Sequence, residues 1–301
     1  MIKSLKEHYN KNGYIYLDKV IDDNECDKLR NILKTYYKNE NKEYVNINDC
    51  LKHKEIYSLF YNQKIISAFK SIFGSNVYVV PELHVQINQF PDNPTEGWHY
   101  DGQSERNNKY MNRNKRQFCR VGIYLQDNTY DLGGGIDIIS NKIFKKLPLK
   151  INNRIEKKII NFLALFFKKT VNTNRGSAIF FDSRLPHKGT FPNKFKSLNK
   201  EEIKKNILNK YQDYKYAIYF QIGSKEDCEH HIKNSIKRSF INYQTYETVH
   251  YFTEYLKLIY PDDFPKELID NLEKNRMKFK HLQKDDANFF SNLQAFSKRL
   301  I

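Results

Sequence analysis

His99 and Asp101, in the run Gly97-Trp98-His99-Tyr100-Asp101-Gly102, stand two positions apart. Alternate side chains of an extended segment project to the same side, so both can grip one ion. A third ligand must come from elsewhere in the chain. His187, in Asp182-Ser183-Arg184-Leu185-Pro186-His187-Lys188-Gly189, is the best candidate, because it directly follows the strand pattern GSAIFFD and its turn. Two imidazoles and one carboxylate on one face of a metal leave three positions open, the arrangement that non-haem Fe(II) oxygenases use for co-substrate and O2. No thiolate accompanies them, so the set does not resemble a structural zinc centre. A His-x-Asp pair alone arises often by chance, and a loop histidine satisfied by its neighbouring aspartate is the plain alternative.

The elements that must position these residues follow from hydrophobic period. Residues 1 to 40 read as two helices around a short strand, with acidic residues opening the second helix, where the macrodipole favours them. A further helical pattern runs from His53 to Phe73 and closes at Gly74. From Val77 the period changes to two, and VYVVPELHVQINQFP reads as strand, followed by strand candidates Cys119 to Gln126, Gly135 to Ile139, Ser177 to Phe181 and Tyr214 to Gly223. After about residue 228 the pattern turns helical again. Helices, then short strands, then helices predict a mainly β fold with flanking helices, an antiparallel barrel or sandwich. No repeat or linker divides the chain, so a single catalytic domain over 1–301 is expected. It comprises a mainly helical N-terminal segment (1–75), a β-core (77–223) with an insertion (145–174), and a helical C-terminal segment (228–301).

Composition bounds the partners. The net charge of +16 invites a nucleic-acid reading, but the lysines are spread along nearly every segment and no binding motif accompanies them. A solvated basic surface is the expectation, with an anionic small molecule as the functional alternative and no nucleic acid as partner. The four cysteines, Cys26, Cys50, Cys119 and Cys228, form no CxxC pair, which fits a reducing cytoplasm. The N-terminus lacks the apolar core of a signal peptide, and no run approaches the roughly 18 apolar residues that a span requires. The longest apolar run, Ile159 to Phe167, is bracketed by Lys157, Lys158, Lys168 and Lys169. A buried helix or lid is the expected reading, and peripheral membrane contact through 157–169 is the alternative.

Several pieces taken in order are similar to the phytanoyl-CoA dioxygenase family: YNKNGYIYLDKVID near the N-terminus, WHYDG, RVGIYLQDNTYDLGGGIDIISNK, and GSAIFFDSRLPHKGTFPN. They span most of residues 8 to 223, and the third contains no proposed metal ligand, so it is independent of the first argument. The resemblance implies a double-stranded β-helix (jelly-roll, cupin-like) core in which His99, Asp101 and His187 bind Fe(II) and 2-oxoglutarate chelates it. It further implies consumption of O2, release of succinate and CO2, and hydroxylation of a small molecule.

The family places a basic residue, usually Arg, on the strand after the distal histidine to hold the far carboxylate of 2-oxoglutarate. Here the strand YKYAIYFQIG offers Lys215 instead, beyond an insertion, and Arg120 at the start of RVGIYLQ is the rival. His84, Gln86 and Asn88 alternate along HVQIN and share one face, either a polar pocket wall or an exposed surface. The loop Gln103 to Gln117 and the insertion 145–174 are the expected lids. A metal-free ligand-binding protein on the same fold and a nucleic-acid-associated protein are the rival readings.

Overall fold

A computed structural model of the chain describes residues 2–40, 47–74, 77–87, 97–99, 101, 117–129, 131–140, 153–195, 197–199, 201–202, 205–206, 215–233 and 264–279. The expected lid loop Gln103 to Gln117 lies outside them except for its last residue, as do Asn88 and the first portion of the 145–174 insertion.

The N-terminal helix α1 (Ile2–Asn12) leads into β1 (Tyr14–Leu17) and then α2 (Asp23–Glu40). The start of α2 is fixed by a reciprocal pair of caps: the Glu25 amide donates to Asp22 Oδ1 at 2.8 Å and the Asp22 amide to Glu25 Oε2 at 2.9 Å. The single helical pattern expected over 53–73 is three pieces, Lys54–Tyr57, a 3-10 turn Ser58–Tyr61, and Gln63–Phe73. The break falls at Asn62, whose side chain accepts from the amides of Lys64 and Ile65 and so starts a new helix. As expected, that helix ends at Gly74, at φ 98°.

Among the described residues nine strands form two sheets. After β1 come β2 (Val77–Ile87), β3 (Phe118–Tyr124), β4 (Ile136–Ile139), β5 (Lys168–Val171), β6 (Ala178–Asp182), β7 (His187–Gly189), β8 (Tyr216–Gly223) and β9 (Met277–Phe279). The larger sheet runs in the order β1-β6-β3-β8-β2-β9, and the smaller is β5-β4-β7. Every pairing is antiparallel except β2 with β9. Pro81 cannot donate to the ladder, and the β2 register slips between Val80 and Leu83 accordingly.

Two expectations need correction. The C-terminal segment is not helical throughout: after the helix Lys266–Lys274, Met277–Phe279 adds a parallel edge strand to the large sheet. The last stretch of the expected insertion belongs to the small sheet, since Lys168–Val171 pairs with β4. Residues 234–263 and 280–301 lie outside the description.

The large sheet has two unlike faces. Val79, Val85, Val121, Ile123, Phe180, Ile218 and Phe220 point to the helices and pack with Leu29, Leu33, Ile65 and Phe69. Each such fully buried side chain contributes about 1.5–3 kcal/mol. The opposite face carries Tyr124, Ile179, Phe181, Ala217 and Tyr219 and packs on Ile136, Ile138 and Val171 of the small sheet. This is a two-sheet jelly-roll arrangement braced by helices on one side, mainly β as the sequence predicts. The candidate site lies on the inner side, between the sheets.

Candidate metal centre

The turn between β6 and β7 positions His187. Asp182 is buried at the end of β6, and its carboxylate accepts from the Arg184 amide at 2.9 Å and from Arg184 Nε at 2.9 and 3.1 Å, while its carbonyl accepts from the Leu185 amide at 2.8 Å. The Asp-Ser-Arg-Leu-Pro run is thereby folded back so that β7 begins on His187. His99 is held by its backbone: His99 and His187 form an antiparallel bridge in which each amide donates to the other's carbonyl, at 2.9 and 2.8 Å. Their rings lie 4.4 Å apart, centroid to centroid, and Phe181 packs on His187 at 4.7 Å.

Asp101 joins them. One ligand atom from each of His99, Asp101 and His187 lies within 4.8 Å of the others, and this is the one such group of potential ligands among the described residues. The ring tautomers are set by carbonyls. His99 Nδ1 donates to Gly97 O and His187 Nδ1 to Leu185 O, both at 2.8 Å, because a carbonyl can only accept. Each Nε2 is left with its lone pair available, the state an imidazole needs to ligate a metal.

Charge agrees with that state. Burial, and then the neighbouring His99, push the His187 imidazole down to about 3, so it is neutral near pH 7. Burial alone would raise the Asp101 carboxyl, but the Arg120 guanidinium beside it outweighs burial and holds the group well below the usual carboxylate range. Arg120 Nη1 sits 2.9 Å from Asp101 Oδ2, both side chains being partly buried. A neutral His187 imidazole beside one ionised carboxylate suits a divalent ion of intermediate softness such as Fe(II).

Arg120 and Lys215 occupy different places. Arg120 engages the carboxylate of the cluster and lies over the Tyr219 ring at 5.1 Å. Lys215 is only 6 % exposed, directly before β8, and its ammonium lies 5.8 Å from the Tyr219 ring and 6.0 Å from the Tyr124 ring. Among the described residues no carboxylate pairs with it. A methyl group placed on Gly189 would lie 4.0 Å from Lys215 Nζ, so the ammonium sits over the strand residue two beyond His187, on the side to which His187 points. Burying an ammonium without a counter-ion is costly, and an anionic ligand would remove that cost.

His84 and Gln86 fall on the inner face of β2, partly buried, opposite Tyr219 and Ala217. The His84 and Tyr219 rings are 6.1 Å apart. Of the two readings left open by the sequence, the inward one holds for these two residues. Among the described residues, Gln86 Oε1 and Gln221 Oε1 are buried acceptors without a hydrogen-bond partner.

Sequence reasoning missed Tyr124, Tyr219, Gln221 and Trp98. Lys215, Ala217, Tyr219 and Gln221 alternate along one strand, so the period-two rule that gave Lys215 also reaches the others. Trp98 packs on the helix Asn153–Phe167 through Ile160 and Ala164, with the Lys188 ammonium 5.4 Å from its ring, and could be seen only in the fold.

No protein-family model matches the sequence, and no curated protein matches it. Solved structures share the fold. SnoN, described as a non-haem α-ketoglutarate-dependent epimerase of nogalamycin biosynthesis and solved with Fe3+, α-ketoglutarate and nogalamycin RO, is 12% identical with a TM-score of 0.52, covering 74% of this chain and 83% of its own. The carbocyclase SnoK of the same biosynthesis is 14% identical with a TM-score of 0.51, over 74% and 84% of the two chains. HygX from Streptomyces hygroscopicus, solved with iron bound, is 9% identical with a TM-score of 0.50, over 74% and 86%. This chain therefore shares its fold with solved non-haem α-ketoglutarate-dependent enzymes.

Proposed function

We propose that the chain is an Fe(II)- and 2-oxoglutarate-dependent oxygenase of the phytanoyl-CoA dioxygenase type that hydroxylates a small, anionic metabolite. The observation that carries this reading is the convergence of His99, Asp101 and His187 with both Nε2 lone pairs left available by carbonyl-bound Nδ1 atoms. The three side chains would hold iron and leave the remaining positions to co-substrate and O2. Bound iron with 2-oxoglutarate and O2 supplies the oxidising power for an unactivated C–H bond, in the balance R–H + O2 + 2-oxoglutarate → R–OH + succinate + CO2.

The protein's own groups then have distinct tasks. Arg120 keeps Asp101 ionised and aimed into the cluster through the 2.9 Å ion pair. Lys215 would take the far carboxylate of 2-oxoglutarate: two strand residues span roughly 7 Å, a distance a five-carbon diacid can bridge from the metal. Tyr124 and Tyr219, whose hydroxyls are 3.4 Å apart, line the path between, and Gln86 and His84 face it from β2. The basic residue of the family's pattern is thus met by a point charge rather than a fork, which predicts weaker geometric discrimination among dicarboxylates.

Anaerobic titration of the purified protein with Fe(II) and 2-oxoglutarate tests the proposal. The wild type should develop the weak visible metal-to-ligand charge-transfer band, and His99→Ala and Asp101→Ala should lack it while remaining folded. A folded, iron-loaded wild type without the band would leave a ligand-binding protein on an oxygenase scaffold.

A further inference from the structure

The helix Asn153–Phe167 is apolar on two sides. Ile160, Leu163 and Ala164 pack on Trp98 and Ile139, beside the metal centre. Phe162, Leu165 and Phe166 face outward, at 61, 77 and 67 % exposure, and Phe167 at the helix end is 47 % exposed. The expectation of a buried helix is therefore met on one face only. The outward residues form one continuous patch, since Phe162 and Phe166 stand one turn apart with their rings in edge contact at 5.3 Å, and Phe166 contacts Phe167 at 6.4 Å. A monomeric protein rarely leaves neighbouring large apolar side chains in water without a use for them.

The charges around the patch say which surface it fits. Lys158 is exposed and lies one turn before Phe162 on the same face, and Lys168 and Lys169, also exposed, follow at the other end, the first 3.5 Å from the Asp137 carboxylate and the second 5.4 Å from the Tyr14 ring. A rim of lysines around exposed Phe and Leu matches an anionic bilayer, where the ammonium groups reach the headgroups as the rings enter the acyl boundary. With 15 residues the helix cannot cross a membrane, and no described helix is long and apolar enough to do so.

We propose that the outward face of the helix Asn153–Phe167 seats on an anionic lipid surface, which places the neighbouring His99–Asp101–His187 cluster near headgroup level. The buried face of the same helix holds Trp98, adjacent in sequence to His99, so docking and access to the site are coupled through one element. This surface is independent of whether iron occupies the cluster.

Flotation of the full-length protein with vesicles of phosphatidylcholine alone, and of phosphatidylcholine with phosphatidylserine, tests it. The wild type should bind the anionic vesicles and release them as salt rises. The triple variant Phe162→Ser, Leu165→Ser, Phe166→Ser should lose partitioning on the order of a hundredfold, and Lys158→Glu about fivefold at low salt. These positions are exposed, so unchanged thermal unfolding in circular dichroism confirms that the variants fold. His99→Ala should bind vesicles as the wild type does, which separates this result from the fate of the oxygenase reading. Absence of binding at low salt, or binding unaltered by the triple variant, overturns the proposal. So does concentration-dependent self-association that the triple variant abolishes without any vesicle binding, since the patch would then join two copies.

Discussion

His99 and His187 face each other as a hydrogen-bonded antiparallel pair, each amide donating to the other's carbonyl. In such a pair both side chains leave the ladder on the same side, about 5.5 Å apart at Cα, so the ring separation is set by the backbone. The backbone pairing therefore fixes the spacing of the two imidazoles. Phe181 against His187 and the Asp182–Arg184 turn behind it hold the same arrangement from the neighbouring strand.

The metal-free protein should lose stability as the pH falls below about 6.5. The folded His187 takes up its proton only near 3, while an unfolded chain does so at 6.5, so within that window the unfolded state binds the extra proton. The stabilisation is fully present above 6.5 and is lost as pH drops. Asp101, held below its ordinary 3.8, contributes in the same sense only at more acid pH. Urea unfolding at pH 7 and pH 5 should show the wild type losing about 2 kcal/mol more than His187→Gln between the two conditions. Equal losses would mean that His187 is not kept neutral by its surroundings.

Lys215 and Arg120 should fail in different ways. Lys215→Met is expected to weaken 2-oxoglutarate binding about a hundredfold, with Lys215→Arg recovering some of it and Fe(II) affinity nearly unchanged. Arg120→Met removes the ion partner of Asp101, so Fe(II) affinity should fall about tenfold or more and its pH dependence should shift upward. Separate isothermal titrations with Fe(II) and with 2-oxoglutarate resolve the two, and an exchange of the phenotypes would reverse the assignment.

Gly122 should not tolerate a side chain. A Cβ there would meet Tyr219 Cε1 at 2.6 Å and Cδ1 at 2.9 Å, displacing the ring that lies beneath both Arg120 and Lys215. Gly122→Ala is expected to cost about 1–3 kcal/mol in denaturant unfolding and to weaken 2-oxoglutarate binding as well. A stable variant with normal binding would show that the Tyr219 ring has room to yield.

Asp182→Asn breaks a buried ion pair from one side. Arg184, whose own proton affinity is raised by Asp182 despite its burial, would be left without its carboxylate. A loss of about 3–5 kcal/mol follows, together with weaker Fe(II) binding because the turn that aims His187 loosens. The chemical denaturation midpoint and a metal titration check the two effects separately.

Period and residue type alone gave β2, β3, β4, β6 and β8 to within a few residues, because each is an apolar, β-branched run bounded by turn residues. They also gave the His-x-Asp segment and the distal histidine, since ligand chemistry depends on residue type, which is written directly in the chain. Three short strands escaped. Lys168–Val171 and Met277–Phe279 carry lysines in mid-strand, and His187–Gly189 contains a glycine, so their strand character comes from the edge they pair with and not from their own preferences. The break at Asn62 was hidden likewise, because an asparagine caps a helix only if the chain turns there.

What only the tertiary structure decided is which side chains meet. Arg120 and Lys215 are equivalent by residue class and strand phase, yet one lies on Asp101 and the other, unpaired with any described carboxylate, over Gly189. The outward Phe162, Leu165 and Phe166 are as apolar in sequence as the inward Ile160 and Ala164, and the fold sends them to opposite sides of one helix. Local sequence sets the period at which side chains alternate, but the partner of each face is set by register and packing between segments far apart in the chain, where no local preference acts.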